Sequence, residues 1–332
     1  MKKIRSVLVI IPTRNDNQRC NLTIRSIIIG CLQAHQHLVE IVVVDDCGDQ
    51  EFTIDETNLN LISRMGCVKV SSKRCCVQVG PAIIRDNETR MSHHNWVIFS
   101  DSHMTFPAGW TEKIIGKYLP EEVIYCSTFV ASGNNIIKKF QGSSFIPYED
   151  INGEVGFFNS APIPYKAVMS QFDRFKEIPV IIGACYLINR QRFIDIGGYD
   201  CLVGYGSEEI LLSLKNWMMG GFNMVDRHLE VIHHDSPPED NRRDIQILLQ
   251  NKLMVARQVL NEDQWLALLE RLPRSRMLLQ SLEFIDKRLP ARLSFTRTFD
   301  EFCRTLGGGL DFSKVLLNTD AKATEFQTLE ED

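Results

Sequence analysis

Three residues near the middle of the chain, Asp101-Ser102-His103, offer a carboxylate and an imidazole two positions apart. They follow Trp96-Val-Ile-Phe-Ser100, an apolar run that reads as a buried strand. Residues i and i+2 at a strand end project to one side, so Asp101 and His103 can share one divalent cation. Mixed oxygen and nitrogen ligation with open positions suits Mn²⁺, among other metals. A pyrophosphate can complete such a coordination sphere, and the metal then offsets charge on a departing nucleotide. A D-x-H triplet by itself is more often a loop Asp capping the next segment beside a surface His. Later residues add weight to the metal reading. Tyr205-Gly-Ser-Glu208-Glu209 precedes an apolar helical stretch, and His233-His234 follows Val231-Ile232, so a third ligand from a distant segment can close the site.

The elements that must position these residues read as an α/β fold. Ser6-Val-Leu-Val-Ile-Ile11 and Val39-Glu-Ile-Val-Val-Val44 are continuous, β-branched runs of the kind buried on both faces of a parallel sheet. Pro12-Thr-Arg-Asn-Asp16 breaks the first, helical spacing follows from Leu22 to Leu32, and the second ends at Asp45-Asp46. This β-α-β order builds an open parallel sheet, where ligands sit at the carboxyl ends of strands. Further strands are expected at Cys67–Val70, Val123–Val130 and Pro179–Asn189, and helices at Gly80–Met91 and Thr111–Tyr118. Residues 132–178 carry no clear periodicity and read as a long irregular segment. From Asn241 the pattern is helical only, with amphipathic spacing over Ile245–Leu260 and Gln264–Leu272. The expected division is a catalytic domain over 1–240 and a helical extension with a loosely ordered tail over 241–332. Within the former, 1–105 forms a nucleotide-binding half and 106–240 an acceptor half.

Composition narrows the function classes. The 332 residues are 44% hydrophobic and 24% charged with a net charge of −5, which argues against a nucleic-acid binder. The ten cysteines form no CxxC pair and read as reduced, small hydrophobes. The apolar run after the basic N-terminus ends at Pro12, too short for a secretory signal, and no stretch reaches the length of a membrane span. A cytoplasmic location is expected. His93-His94 reads as a solvated turn, and Trp217-Met218-Met219 as core packing.

Four segments carry a resemblance: Val9-Ile-Ile-Pro-Thr-Arg-Asn15, Ile41-Val-Val-Val-Asp-Asp46, Ile98-Phe-Ser-Asp-Ser-His103, and Gly197-Gly-Tyr-Asp200 leading to Gly206-Ser-Glu-Glu209. Together they resemble family 2 glycosyltransferases of the nucleotide-diphospho-sugar transferase (GT-A) fold. Within that group the chain is similar to polypeptide N-acetylgalactosaminyltransferases, which use Asp-Ser-His where most relatives use Asp-x-Asp. The resemblance implies a mostly parallel central sheet flanked by helices and a UDP-sugar donor, with Mn²⁺ or Mg²⁺ held by Asp101, His103 and a later His. His233 is the preferred third ligand and His234 the alternative. It also implies that Pro12, Thr13 and Arg14 line uracil and ribose, and that Asp46 accepts from the uracil N3–H. Asp45 is more structural, Arg85 lies near the donor or is an exposed helix Arg, and Asp101 with Ser102 faces ribose or metal.

The departure is Glu208-Glu209, where the retaining N-acetylgalactosaminyltransferases have Glu-Asn. Inverting family 2 enzymes carry an acidic pair whose second member is the general base, because an acceptor must lose its proton as it attacks. Glu209 is the expected base with Glu208 beside it; the alternatives are a retaining enzyme, or an acidic helix start favoured by the helix dipole. A peptide or protein acceptor is favoured over a glycan, lipid or small molecule. The C-terminal helices are expected to shape the acceptor site or to mediate a homodimer. A non-catalytic nucleotide-sugar-binding protein on the same fold is the competing class. A nucleotidyltransferase ranks last, because Pro12-Thr-Arg-Asn15 lacks a glycine cradle.

Overall fold

The computed structural model describes residues 2–31, 38–133, 136–151, 154–164, 174–199, 201–234, 244–290, 293–307 and 309. In chain order the first half runs β1 (Lys2–Lys3), β2 (Ser6–Thr13), α1 (Asn17–Gly30), β3 (Leu38–Asp45), α2 (Glu56–Arg64), β4 (Val68–Arg74), α3 (Pro81–Met91) and β5 (Trp96–Ser100). There follow β6 (Met104–Thr105), α4 (Trp110–Ile114), β7 (Tyr118–Leu119), β8 (Val123–Gly133), β9 (Ile136–Ile151), β10 (Glu154–Pro164) and β11 (Phe175–Glu177). The remainder is β12 (Cys185–Asn189), α5 (Arg190–Asp195), α6 (Glu208–Met218), β13 (Phe222–His234), α7 (Ile245–Val259), α8 (Glu262–Arg271), α9 (Arg276–Arg288) and α10 (Phe299–Thr305).

The strand order β10-β9-β8-β12-β5-β2-β3-β4 forms the main sheet, with β13 parallel to β8. Its strands β4, β3, β2 and β5 are all parallel. The unbroken β-branched runs follow from burial on both faces. Leu8, Ile10, Val42, Val44, Val97 and Phe99 enter one core, while Val7, Val9, Ile11, Ile41, Val43 and Ile98 enter the other. Helix α1 and Trp110 cover the second face; α3, α5 and α6 cover the first. Strand β12 is inserted antiparallel between β5 and β8, so the pairing becomes mixed beyond Ser100.

Three expectations change. The segment expected to be irregular contains the β9–β10 hairpin, with Phe157 paired to Tyr148 and Asn159 to Ile146. Phe158 adopts a positive φ of 49°, so Phe157 and Phe158 are both buried in succession and the two-residue alternation that marks a strand is lost. The strand expected over Pro179–Asn189 is confined to Cys185–Asn189, and the helix expected over Thr111–Tyr118 ends at Ile114.

Helices α7 to α10 bury Leu253, Met254, Leu268, Phe299 and Phe302 in the same core as Tyr186 and Leu211. The described part of the C-terminal region is therefore packed on the sheet domain and shares its core. Residues 235–243 and 310–332 lie outside the described residues. All ten cysteines are free, and burial pushes the Cys126 and Cys185 thiols up to about 12. Among the described residues no helix is long and apolar enough to cross a membrane.

Candidate functional site

The carboxyl end of β5 and the end of β13 meet to form a cluster of Asp101, His103 and His233. Antiparallel pairing of His233 with Met104 brings the two imidazoles together. Their Nε2 atoms lie 3.0 Å apart with ring planes at 75°, and the Asp101 Oδ2 is 3.7 Å from His233 Nε2. Neighbours on a strand face opposite ways, which sends His234 elsewhere: its Nε2 lies 2.9 Å from the Thr105 hydroxyl. Two imidazole lone pairs facing each other repel unless a proton or a cation sits between them. Two nitrogens at right angles on a metal about 2.1 Å away would be about 3.0 Å apart. The donor set and its spacing therefore fit one divalent cation.

The support for this cluster includes residues that the sequence reading missed. Asp16 stands at the N-cap position of α1, yet its side chain makes no capping bond. Its Oδ2 accepts from the Ser102 hydroxyl at 2.7 Å and lies 3.3 Å from His103 Nδ1, while Oδ1 accepts from Arg19 Nε at 2.6 Å. A carboxylate on one ring nitrogen orients the other toward a metal. Burial raises the Asp16 carboxyl, but its bonds with His103, Ser102 and Arg19 hold it below the ordinary range. The only sequence signal was an Asp ahead of a helix, the common signature of a cap. Thr23 pins the same loop: its hydroxyl lies within donating distance of the Ser102 and Met104 carbonyls, at 2.8 and 2.9 Å, and accepts from Met104 N–H. Ser102, expected at the donor, turns its hydroxyl to Asp16.

Asp101 also accepts from Arg85 Nη2 at 2.9 Å. Arg85 is 3% exposed and lies 5.9 Å from the ring centres of both Phe99 and Tyr186, which removes the reading of an exposed helix Arg. Burial works against the Asp101 charge, but His233, Arg85 and His103 together hold its carboxyl below the ordinary range.

At the other strand ends, Asp45 and Asp46 divide their work. Asp45 is turned inward, accepting from the Gly48 and Phe52 N–H groups at 2.8 and 3.1 Å, with Arg74 at 3.5 Å. It shapes the turn after β3. Asp46 accepts from Val79 and Gly80 N–H at 2.7 and 3.0 Å and keeps lone pairs for a further donor. Thr13 is buried, Pro12 half-buried and Arg14 exposed beside it. Gly80 lies against the Gly204 backbone so closely that any Cβ would overlap it.

Glu208 and Glu209 open α6 immediately beyond Gly204–Ser207. The Glu208 Oε2 accepts from Gly206 N–H at 2.8 Å, while its Oε1 is buried with no partner. Burial and the neighbouring Glu209 push the Glu208 carboxyl up to about 8, against the pull of Arg85. Glu209 is half-buried, and its carboxylate lies where a Cβ on Gly183 would be. Gly183 adjoins Ala184, whose carbonyl accepts from Asp101 N–H at 3.0 Å. A short backbone path therefore links the acidic pair to the histidine cluster.

His94 corrects another expectation. It is 3% exposed, not solvated, with Nδ1 3.0 Å from the Ser6 hydroxyl and Nε2 2.9 Å from Glu40. His93 stacks beside it at 4.5 Å. Trp217 and Met218 are buried as expected.

Residues 8–197 match the sequence family described as Glycosyl transferase family 2. The chain belongs to that family. The matched span includes Asp46, Asp101 and His103 and stops short of Glu208 and His233. Among curated relatives, polypeptide N-acetylgalactosaminyltransferase 8 of Drosophila melanogaster is 29% identical over 231 residues, 67% of this chain and 36% of its own. Human polypeptide N-acetylgalactosaminyltransferase 13 is 22% identical over 199 residues, covering 56% of this chain and 34% of its own. The chain spans about a third of the length of these relatives. The crystal structure of GalNAc-T7 with UDP, GalNAc and Mn²⁺ superposes with a TM-score of 0.66 at 17% identity, covering 95% of this chain and 59% of that one. S. aureus TarS 1-349 in complex with UDP-GlcNAc gives 0.50 at 14% identity, covering 86% and 82%. These likenesses establish the GT-A fold of this family 2 member.

Proposed function

We propose that the protein is a metal-dependent glycosyltransferase that moves a sugar from a UDP-sugar to an acceptor, with a peptide or protein side chain favoured. The observation that carries this reading is the convergence of two imidazole Nε2 atoms 3.0 Å apart beside Asp101, at the carboxyl ends of the strands. Support for the donor comes from the structural neighbour crystallised with UDP and Mn²⁺, and support for the acceptor from relatives named as polypeptide-modifying transferases.

A divalent cation, Mn²⁺ or Mg²⁺, held by Asp101, His103 and His233 would offset the charge of the departing nucleoside diphosphate. The chain's own residues do the rest. Asp46 accepts from the uracil N3–H while Val79 and Gly80 fix its carboxylate, and Pro12, Thr13 and Arg14 flank the base and ribose. Asp16 holds His103 by Nδ1, which leaves Nε2 directed at the cluster. Arg85 places a buried cation beside Asp101 on the donor side. Glu209, the more open member of the acidic pair, takes the proton of the acceptor as it attacks from the face opposite UDP, giving inversion. Glu208, buried and held near neutrality by its surroundings, keeps its own proton and leaves the pair with one charge.

Incubation with a panel of UDP- and GDP-sugars, with Mn²⁺ or with EDTA, tests the reading without an identified acceptor. The expected result is Mn²⁺-dependent release of UDP from one donor, lost in His103→Ala. Failure to bind any nucleotide would contradict it. Metal-dependent UDP binding without turnover, even with peptide acceptors supplied, would favour a binding protein on the same fold.

A further inference from the structure

The loop ahead of the acidic pair is held by a residue far away in sequence. Asn251, on α7, is 1% exposed. Its Oδ1 accepts from Val203 N–H at 3.1 Å. Its Nδ2, with two N–H donors, lies within bonding distance of the carbonyls of Val203, Tyr205 and Gly206, at 2.7, 3.3 and 3.0 Å. One buried amide thus grips both ends of residues 203–206, using its acceptor and its donors together. Leu248, one helical turn earlier, lies against Gly206, and Ile247 lies against Gly204.

That loop has reason to need holding. Gly204, Gly206 and Ser207 all have positive φ, at 56°, 109° and 71°, and for Ser207 this is an unfavourable conformation. Such a backbone persists only where its surroundings over-determine it. Glu208 reaches back to Gly206 N–H, so the position of that N–H fixes the Glu208 carboxyl directly. From the nucleotide side, Gly80 presses on Gly204 while its own N–H is bound to Asp46.

We infer that Asn251 is a positioning residue for the Glu208–Glu209 pair, making α7 part of the active site. Its role rests on the proposed function of that pair, whereas its grip on the loop does not. The helix clamps the left-handed segment from behind, and the amide–carbonyl bonds set where α6 begins. A misplacement of about 1 Å at a reacting group can cost about 100-fold in rate.

Two readouts on Asn251→Ala separate the claims. The first is amide hydrogen exchange of peptides covering 203–209, measured by mass spectrometry. The second is turnover of UDP-sugar per UDP-binding site, with the kcat and KM contributions resolved. Expected are exchange at 203–209 at least about tenfold faster, with 101–103 unchanged, and kcat lowered about 10- to 100-fold. UDP affinity should stay within about twofold, because the nucleotide contacts lie on other strands. Loss of stability without a change in kcat per site would reduce Asn251 to a structural residue and overturn the inference. Unchanged exchange would overturn the clamp itself. If wild type releases no UDP while exchange responds as expected, the proposed function fails and the clamp stands. Should Asn251→Ala not fold, Leu248→Ala loosens the same loop from the same helix and should give the same pattern at smaller size.

Discussion

Two histidine clusters lie at opposite ends of one sheet and are built from the same residue types. Glu40, His93 and His94 sit where β2 and β3 begin; Asp101, His103 and His233 sit where strands end. In the first, His94 uses both nitrogens, one on the Ser6 hydroxyl and one on Glu40, so the donor and acceptor needs of the buried ring are met within the protein. In the second, Asp16 takes the outer nitrogen of His103, and the inner one lies 3.0 Å from His233 Nε2, beside the Asp101 carboxylate. Ligand-type residues in proximity do not by themselves make a centre. What separates the two is where the ring nitrogens point: in the first they go to separate protein partners, in the second two imidazoles and a carboxylate converge on one point.

The largest expected effect breaks the open cluster. His103→Ala should lower metal-dependent UDP release on the order of 1,000-fold, measured as initial rate at saturating Mn²⁺. Next is the support behind it: Asp16→Asn keeps the shape but removes the charge on His103, and should weaken Mn²⁺ affinity about 10- to 100-fold by titration. The closed cluster should respond differently. His94→Ala should cost about 1–3 kcal/mol in denaturant unfolding, by leaving Glu40 and Ser6 without their partner, and should change Mn²⁺ affinity by less than about twofold.

The smallest effect concerns Glu208, a carboxyl that is neither ligand nor ion pair. Its folded-state pKa is raised from 4.5 to about 8, so the unfolded chain ionises first and stability falls as pH rises through that window. Glu208→Gln cannot ionise. It should therefore be more stable than wild type at pH 8, with the difference fading toward pH 4.

The sequence made one of these clusters legible and hid the other. Asp101 and His103 could be read because a strand end fixes where i and i+2 point, and the strand itself was written in residues buried on both faces. The preference for His233 over His234 rests on the family resemblance alone; the register with Met104, which no local pattern carries, is what brings its ring to His103. His93-His94 read as solvated because a polar dipeptide before a strand gives no sign that Ser6 and Glu40 fold over it. Asp16 was hidden by looking like a helix cap, and Asn251 by being a single amide on a helix whose partners lie 45 to 48 positions away. The β9–β10 hairpin escaped because Phe158 breaks its alternation. What sequence carries well is periodic burial; what it carries poorly is a polar side chain whose partner is set by the tertiary fold.

The central claim is that Asp101, His103 and His233, and not the other cluster, hold the metal. Titration of Mn²⁺ into the protein with UDP present, followed by electron paramagnetic resonance, measures this directly. The account predicts one tightly bound ion per chain, lost in His233→Ala and retained in His93→Ala. Retention in His233→Ala, or loss in His93→Ala, would contradict it.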